Sequence, residues 1–157
     1  MVPRFIEFMP MSEGALWAPG SFLPAAEIRR AIEASFPAHH LEPLPTPSGA
    51  GPARYYRLEA DAPRVAEPGG ERLLGVIAAI SEGFCEGCNR VRLSAVGRLH
   101  ACLGHDDGVD LRAPLRAGGE AAVVEAIRQA VAAKPERHAF TPLGCGGPVR
   151  HMVSIGG

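Results

Sequence analysis

The chain has 157 residues, which is long enough for a domain with its own hydrophobic core. Hydrophobic residues make up 46% of it and charged residues 21%, as in ordinary globular proteins. The net charge of −1 gives no electrostatic reason to expect a nucleic acid or an anionic membrane as partner. No apolar run approaches a membrane span of about eighteen residues, and the first residues do not resemble a secretion signal. We therefore expect a cytoplasmic protein.

The N-terminal part predicts a strand followed by a helix. Residues Arg4 to Met9 are nearly continuously apolar, as in the buried strands of parallel sheets. Glu7 interrupts this strand, and we interpret it either as a hydrogen-bonded buried carboxylate or as a residue at the mouth of a barrel. A helix is predicted over residues Ser21 to Ser35, where Ile28 and Ile32 lie on one face.

The rest of the chain predicts short strands and one more helix. Residues 41–53 contain four prolines, which is typical of a loop or an edge strand. Gly97 lies between two predicted strands and is free to adopt the positive φ of a tight hairpin. The strands are predicted at Arg54–Leu58, Leu73–Ile80, Arg90–Ser94 and Arg98–Cys102, and the helix at Glu120–Ala133. These elements indicate an α+β fold with mostly antiparallel strands.

Three of the four cysteines form a compact motif. Cys85 and Cys88 are two residues apart, so both thiolates can turn toward one metal ion or cluster, and Cys102 returns toward them from the predicted hairpin. Three thiolates can hold a [4Fe–4S] cluster and leave one iron open to a substrate. Together with His105 they could instead form a structural Cys₃His zinc site. The spacing leaves both interpretations open.

The fourth cysteine and the nearby arginines have weaker patterns. Cys145 lies in a glycine-rich segment and is either a further metal ligand or simply a small residue in a turn. Arg90 and Arg92 directly follow the CxxC motif, and alternation along a strand would put both guanidinium groups on one face. Two such groups beside a metal loop are suited to binding a phosphate or polyphosphate. Lys134 is the only lysine of the chain.

Several segments in a fixed order resemble a known family. They read RFIEFMPM, GPARYYRL, FCEGCNRVRLSAVGRLHACL, DLRAPLR, KPERH and MVSIGG. Together they closely resemble the C-terminal half of the GTP 3′,8-cyclase (MoaA) family, radical S-adenosylmethionine lyases that begin molybdenum cofactor biosynthesis. The resemblance covers nearly the whole chain and favours an iron–sulfur cluster over zinc.

The resemblance implies a chemistry and a set of site residues. In that family one [4Fe–4S] cluster, on a CxxxCxxC motif, cleaves S-adenosylmethionine to a radical that cyclises GTP, and a second cluster binds the GTP. By resemblance, the second cluster is held by Cys85, Cys88 and Cys102. The remaining implied positions are Arg90, Val91 and Arg92 for GTP, Met9 for S-adenosylmethionine, and Gly156 and Gly157 as catalytic tail residues that reach the active site.

The chain also departs from the family pattern, because none of its cysteines forms a CxxxCxxC motif. The resemblance therefore implies a late strand and helix of an incomplete TIM-like barrel at residues 1–37. Residues 38–157 would be the cluster- and GTP-binding cap. We expect such a chain not to generate the radical alone, and to associate with a separate N-terminal half or with a second copy of itself.

Overall fold

The computed structural model describes residues 1–45, 51–62 and 71–155. The part of the predicted loop or edge strand over residues 46–50 lies outside the described residues, as do the predicted catalytic residues Gly156 and Gly157. Among the described residues, the helices lack the apolar length that crossing a bilayer requires.

The chain divides into two compact units. Unit 1 consists of Met1–Phe8 and Pro19–Phe84, and unit 2 of Met9–Ala18 and Cys85–Gly157. The division predicted after residue 37 stays a prediction.

Unit 1 is a mixed four-stranded sheet with one helix. The strands are β1 (Arg4–Ile6), β2 (His39–Pro43), β3 (Arg54–Ala60) and β4 (Leu73–Ile77), and the helix is α1 (Ala25–Ser35). The sheet order is β1-β4-β3-β2; β1 pairs with β4 in parallel, and the other pairs are antiparallel. The predicted α+β class is confirmed, and within the described residues β2, which includes the first of the four prolines of residues 41–53, lies at an edge of the sheet.

The first strand ends at Ile6 rather than at the predicted Met9, and it is more exposed than the apolar strands of parallel sheets usually are. β1 is parallel, as its apolar composition predicted, but Phe5 is 41% and Ile6 56% exposed. Within the described residues β1 has a hydrogen-bonded neighbour on one side only, whereas β4 lies between two strands. Leu74 and Val76 of β4 are accordingly buried and form the core with α1.

Helix α1 begins at Ala25 because a distant carboxylate binds its first amide. The backbone of Pro24 is extended, and this residue makes no side-chain capping hydrogen bond. Instead the Ala25 amide donates to Glu7 Oε1 at 2.8 Å. The predicted start at Ser21 is therefore four residues too early.

Glu7 is a buried carboxylate with a full set of donors. Its side chain is 1% exposed, and Oε2 accepts from the amides of Ile80 at 2.7 Å and Ser81 at 2.9 Å. The Ser81 hydroxyl donates to Oε1. Burial raises the pKa of Glu7, but the hydrogen bonds from Ser81, Ile80 and Ala25 outweigh it and hold the pKa below its ordinary value. Glu7 thereby joins β1, the start of α1 and the segment after β4.

We expect Glu7→Gln to lower the free energy of unfolding by about 1–3 kcal/mol at neutral pH. The side-chain amide nitrogen of glutamine is a donor, and it would replace an oxygen that now accepts hydrogen bonds from backbone amides. Since the folded-state pKa of Glu7 is lowered, its stabilisation is present above the unfolded-state pKa and is lost as the pH falls through the folded-state value. Urea unfolding of the wild type and the variant should therefore converge in acid. The exposed Glu42→Gln is the matched control, and an equal effect of both substitutions would contradict this role.

Unit 2 is a small antiparallel sheet with a long, broken helix. Its strands are β5 (Arg92–Leu93), β6 (Arg98–His100) and β7 (Val109–Asp110), in the order β5-β6-β7, and its helix is α2 (Arg112–Ala132). The β5–β6 hairpin is confirmed, with Gly97 at φ 74°. Gly119 interrupts α2 at φ 62° and ψ −150°. The predicted helix from Glu120 is thus the second part of α2.

Candidate functional site

The CxxC loop lies in unit 2 and makes a tight turn. The Cys88 amide donates to the Cys85 carbonyl at 3.0 Å, so the chain reverses over the two residues between the cysteines. Both thiols are free and half-buried. The turn is the local geometry that the two-residue spacing predicted.

Cys102 lies within electrostatic reach of the CxxC loop. It follows β6, which pairs with the strand that comes after the loop, in the register Arg92 to His100. Burial raises the pKa of the Cys102 thiol, and the negative charges of Cys85 and Cys88 raise it further. The structure thus brings the three predicted cluster cysteines into one region of unit 2.

The predicted zinc alternative is not supported. Among the described residues, no three His, Cys, Asp or Glu side chains converge on a point where they could hold one metal ion. His105, the fourth ligand of that alternative, has Nε2 within 3.0 Å of the Arg137 carbonyl instead. A tetrahedral zinc ion requires its ligands at about 2.0–2.3 Å, so all four must converge.

A lysine that we did not predict contacts the CxxC loop. Lys134, two residues beyond α2, donates from Nζ to the Cys88 carbonyl at 2.7 Å and to the Arg90 carbonyl at 2.9 Å. The same ammonium lies 3.4 Å from Cys88 Sγ. The only sequence signal was that every other basic residue of the chain is an arginine.

Positive charge surrounds Cys88 more than Cys102. The Arg90 guanidinium lies 3.6 Å from Cys88 Sγ. Burial raises the pKa of the Cys88 thiol, but hydrogen bonds from the Arg90 backbone and side chain, with help from Lys134, hold it below its ordinary value. Cys88 is therefore the readier of the two to become a thiolate, the form that binds metals.

A second cation, also missed from the sequence, contacts the Cys102 segment. Arg150 donates from Nη2 to the carbonyls of Cys102 at 3.2 Å and Leu103 at 3.3 Å. Its Nη1 pairs with Asp106 Oδ1 at 3.3 Å, and Asp106 also accepts from the Val149 amide at 2.8 Å. These contacts join the chain around residue 150 to the loop that carries Cys102.

The predicted GTP-binding residues lie next to the cysteine loop. β5 begins only at Arg92, so the predicted placement of Arg90 and Arg92 together on a strand is wrong. Arg90 and Val91 are exposed in the preceding loop, and Arg92 is half-buried. Within the described part of the chain, the Arg92 guanidinium makes no hydrogen bond or ion pair.

The remaining predicted residues lie in different surroundings. Met9 is half-buried beyond the end of β1, and its carbonyl accepts from the Met11 amide at 2.8 Å. Cys145 is exposed between Gly144 and Gly146, both of which have positive φ. A Cβ at Gly147 would lie 1.5 Å from the Pro10 carbonyl oxygen.

The fold and the site define a small α+β protein with a cluster of cysteines in one unit. The chain belongs to the Molybdenum Cofactor Synthesis C family, whose model matches residues 1–140. The family assignment that the sequence segments predicted is confirmed.

Curated relatives agree with this assignment. The chain is 44% identical over 136 residues to the GTP 3′,8-cyclase of Pelotomaculum thermopropionicum, covering 86% of the chain and 38% of the relative. It is 42% identical over 154 residues to the GTP 3′,8-cyclase of Caulobacter vibrioides, covering 97% of the chain and 40% of the relative. For the enzyme of Nitrobacter winogradskyi the identity is 38% over 160 residues, covering 100% and 43%. The chain thus spans about two fifths of the length of these relatives and matches their C-terminal part.

In the metal-free chain we expect Cys88 to be alkylated with a pH midpoint below that of Cys102. The thiolate is the nucleophile, and the pKa of Cys88 is lowered while that of Cys102 is raised. Iodoacetamide labelling followed by mass spectrometry across pH measures both sites in one sample. The midpoints should coincide in concentrated urea, and a reversed order in the folded chain would contradict the assignment.

Proposed function

We propose that this chain is the cluster- and GTP-binding C-terminal part of a GTP 3′,8-cyclase. The observation that carries the proposal is the pairing of β5, which follows the CxxC loop, with β6, which precedes Cys102, because this pairing brings the segments of the three thiols together within unit 2. Membership of the Molybdenum Cofactor Synthesis C family and the similarity to GTP 3′,8-cyclases support the same reaction. The whole cyclisation belongs to the longer relatives, and this chain supplies the part that holds the nucleotide.

The donor set fits a [4Fe–4S] cluster better than a single ion. Three free thiols lie on two neighbouring loops, and a lowered pKa favours the thiolate at Cys88. In a cubane each thiolate binds a different iron, so the sulfur atoms need not converge on one point. Positive charge from Lys134 and Arg90 beside Cys88 offsets the negative charge that three thiolates bring together.

The nucleotide contacts follow from the charges beside the cysteine loop. When bound, the cluster would supply one iron without a protein thiolate, a Lewis acid that a guanine nitrogen or oxygen can ligate. Arg92 neutralises the triphosphate with its unpaired guanidinium, and the exposed Arg90 adds a second charge. Val91 lies between them in the chain and contacts the nucleotide with its exposed side chain.

The other residues implied by the family belong to the same proposal. Met9 is the contact for S-adenosylmethionine, and Gly156 and Gly157 are the catalytic tail residues. The parallel strand β1 is a late strand of the barrel in which the radical is generated. A partner segment with a CxxxCxxC motif, in the same protein or in a second chain, supplies the radical cluster.

After anaerobic reconstitution we expect about four irons and four sulfides per chain. Cys88→Ser should lose the iron and the visible absorption of the cluster, because one of three ligands is gone. Cys145→Ser is the matched control and should keep both, since Cys145 is exposed in a separate turn. Stoichiometric zinc without iron in the wild type would overturn the proposal.

For the reconstituted chain, we expect Arg92→Gln to weaken GTP binding about tenfold, as for loss of one charge-assisted contact. Equilibrium dialysis measures the affinity directly. Arg128→Gln removes the same charge from an exposed position on α2 and should leave the affinity unchanged. Equal affinities of the two variants would exclude Arg92 from the nucleotide site.

A further inference from the structure

We propose that Lys134 is the positioning residue of the cysteine loop: it fixes the backbone of residues 88–90 and places a positive charge against the Cys88 thiolate. The second half of this inference rests on the proposed function, since it concerns the cluster that Cys88 holds. The first half concerns the chain itself and can be tested without metal.

The three contacts of Lys134 match what one ammonium can donate. Nζ lies 2.7 Å from the Cys88 carbonyl, 2.9 Å from the Arg90 carbonyl and 3.4 Å from Cys88 Sγ. An ammonium has three N–H donors on one atom, so it can serve all three acceptors at once. A guanidinium spreads its donors over a planar fork and cannot reproduce these contacts from one point.

The main chain holds Lys134 in place. Its amide donates to the Val131 carbonyl at 3.1 Å in the last turn of α2, and Pro135 follows directly. A proline disfavours helical backbone in the residue before it, so α2 ends here and the lysine leaves the helix at a defined point. The partly buried side chain then reaches across to the cysteine loop.

Two consequences follow for the site. The carbonyls of Cys88 and Arg90 bind the same nitrogen, so the backbone between them is held in one conformation. That conformation sets the position from which the Arg90 side chain extends. A hydrogen bond to a ligand sulfur also stabilises the more negative state of an iron–sulfur cluster and raises its reduction potential. Lys134 therefore acts on both the nucleotide contact and the electronic state of the cluster, through residues that it positions.

The backbone role is tested on the metal-free, full-length chain by hydrogen exchange. Lys134→Met should accelerate exchange of the amides of residues 88–91 about tenfold, the effect of losing contacts to a charged donor. Lys134→Arg keeps the charge but not the geometry, so exchange there should also exceed that of the wild type. Arg128→Met is the matched control, because it removes an exposed positive charge from α2. It should leave the exchange of the amides of residues 88–91 unchanged. Unchanged exchange in both lysine variants would overturn the positioning role.

The electrostatic role is tested on the reconstituted chain by redox titration of its electron paramagnetic resonance signal. Lys134→Met should shift the reduction potential to more negative values, whereas Lys134→Arg and Arg128→Met should stay close to the wild type. A potential that does not move in Lys134→Met would overturn this half of the inference. Failure of the wild type to hold any cluster would instead overturn the proposed function, and the hydrogen-exchange result would still decide whether Lys134 positions the loop. If Lys134→Met does not fold, Lys134→Arg carries the exchange test.

Discussion

The segments of unit 2 that carry Cys88 and Cys102 are irregular backbone, and in each of them a cation from a remote part of the chain binds two carbonyls. Outside helices and sheets, main-chain groups lack repeating partners and must find others. Lys134 binds carbonyls of the first segment, and Arg150 binds carbonyls of the second. The positions of Cys88 and Cys102 are therefore set by parts of the chain that are remote in sequence. The turn between Cys85 and Cys88 is local, whereas the placement of Cys102 beside it also depends on contacts outside the motif.

Unit 1 uses the same physical device with the opposite charge. The buried carboxylate of Glu7 collects amides from the start of α1 and from the segment after β4. Burying a charge costs free energy, and several charge-assisted hydrogen bonds offset that cost. Exposed ion pairs contribute far less. The pair of Arg57 with Glu71, whose carboxylate is 63% exposed, is an example.

Features that depend on neighbouring residues could be predicted from the sequence, and features that depend on distant ones could not. The hairpin at Gly97 and the CxxC turn are local, and both were found as expected. The start of α1 was misplaced because its cap comes from a residue eighteen positions away. The first part of α2 was missed because it is short and Gly119 interrupts the helix. Lys134 was missed as well, since 46 residues separate it from Cys88 and no pattern in the sequence connects them.

The glycine-rich turn around residue 147 affects how the results of mutagenesis in this chain are interpreted. A side chain at Gly147 has no space beside the Pro10 carbonyl oxygen, so even the smallest one forces the backbone apart. In a saturation mutagenesis experiment this position would score as intolerant to every replacement, as a ligand-binding residue does. Its intolerance would reflect steric exclusion between two backbone segments. When mutational tolerance is used to locate the active site of this family, positions that are intolerant for steric reasons must first be identified from the structure and set aside.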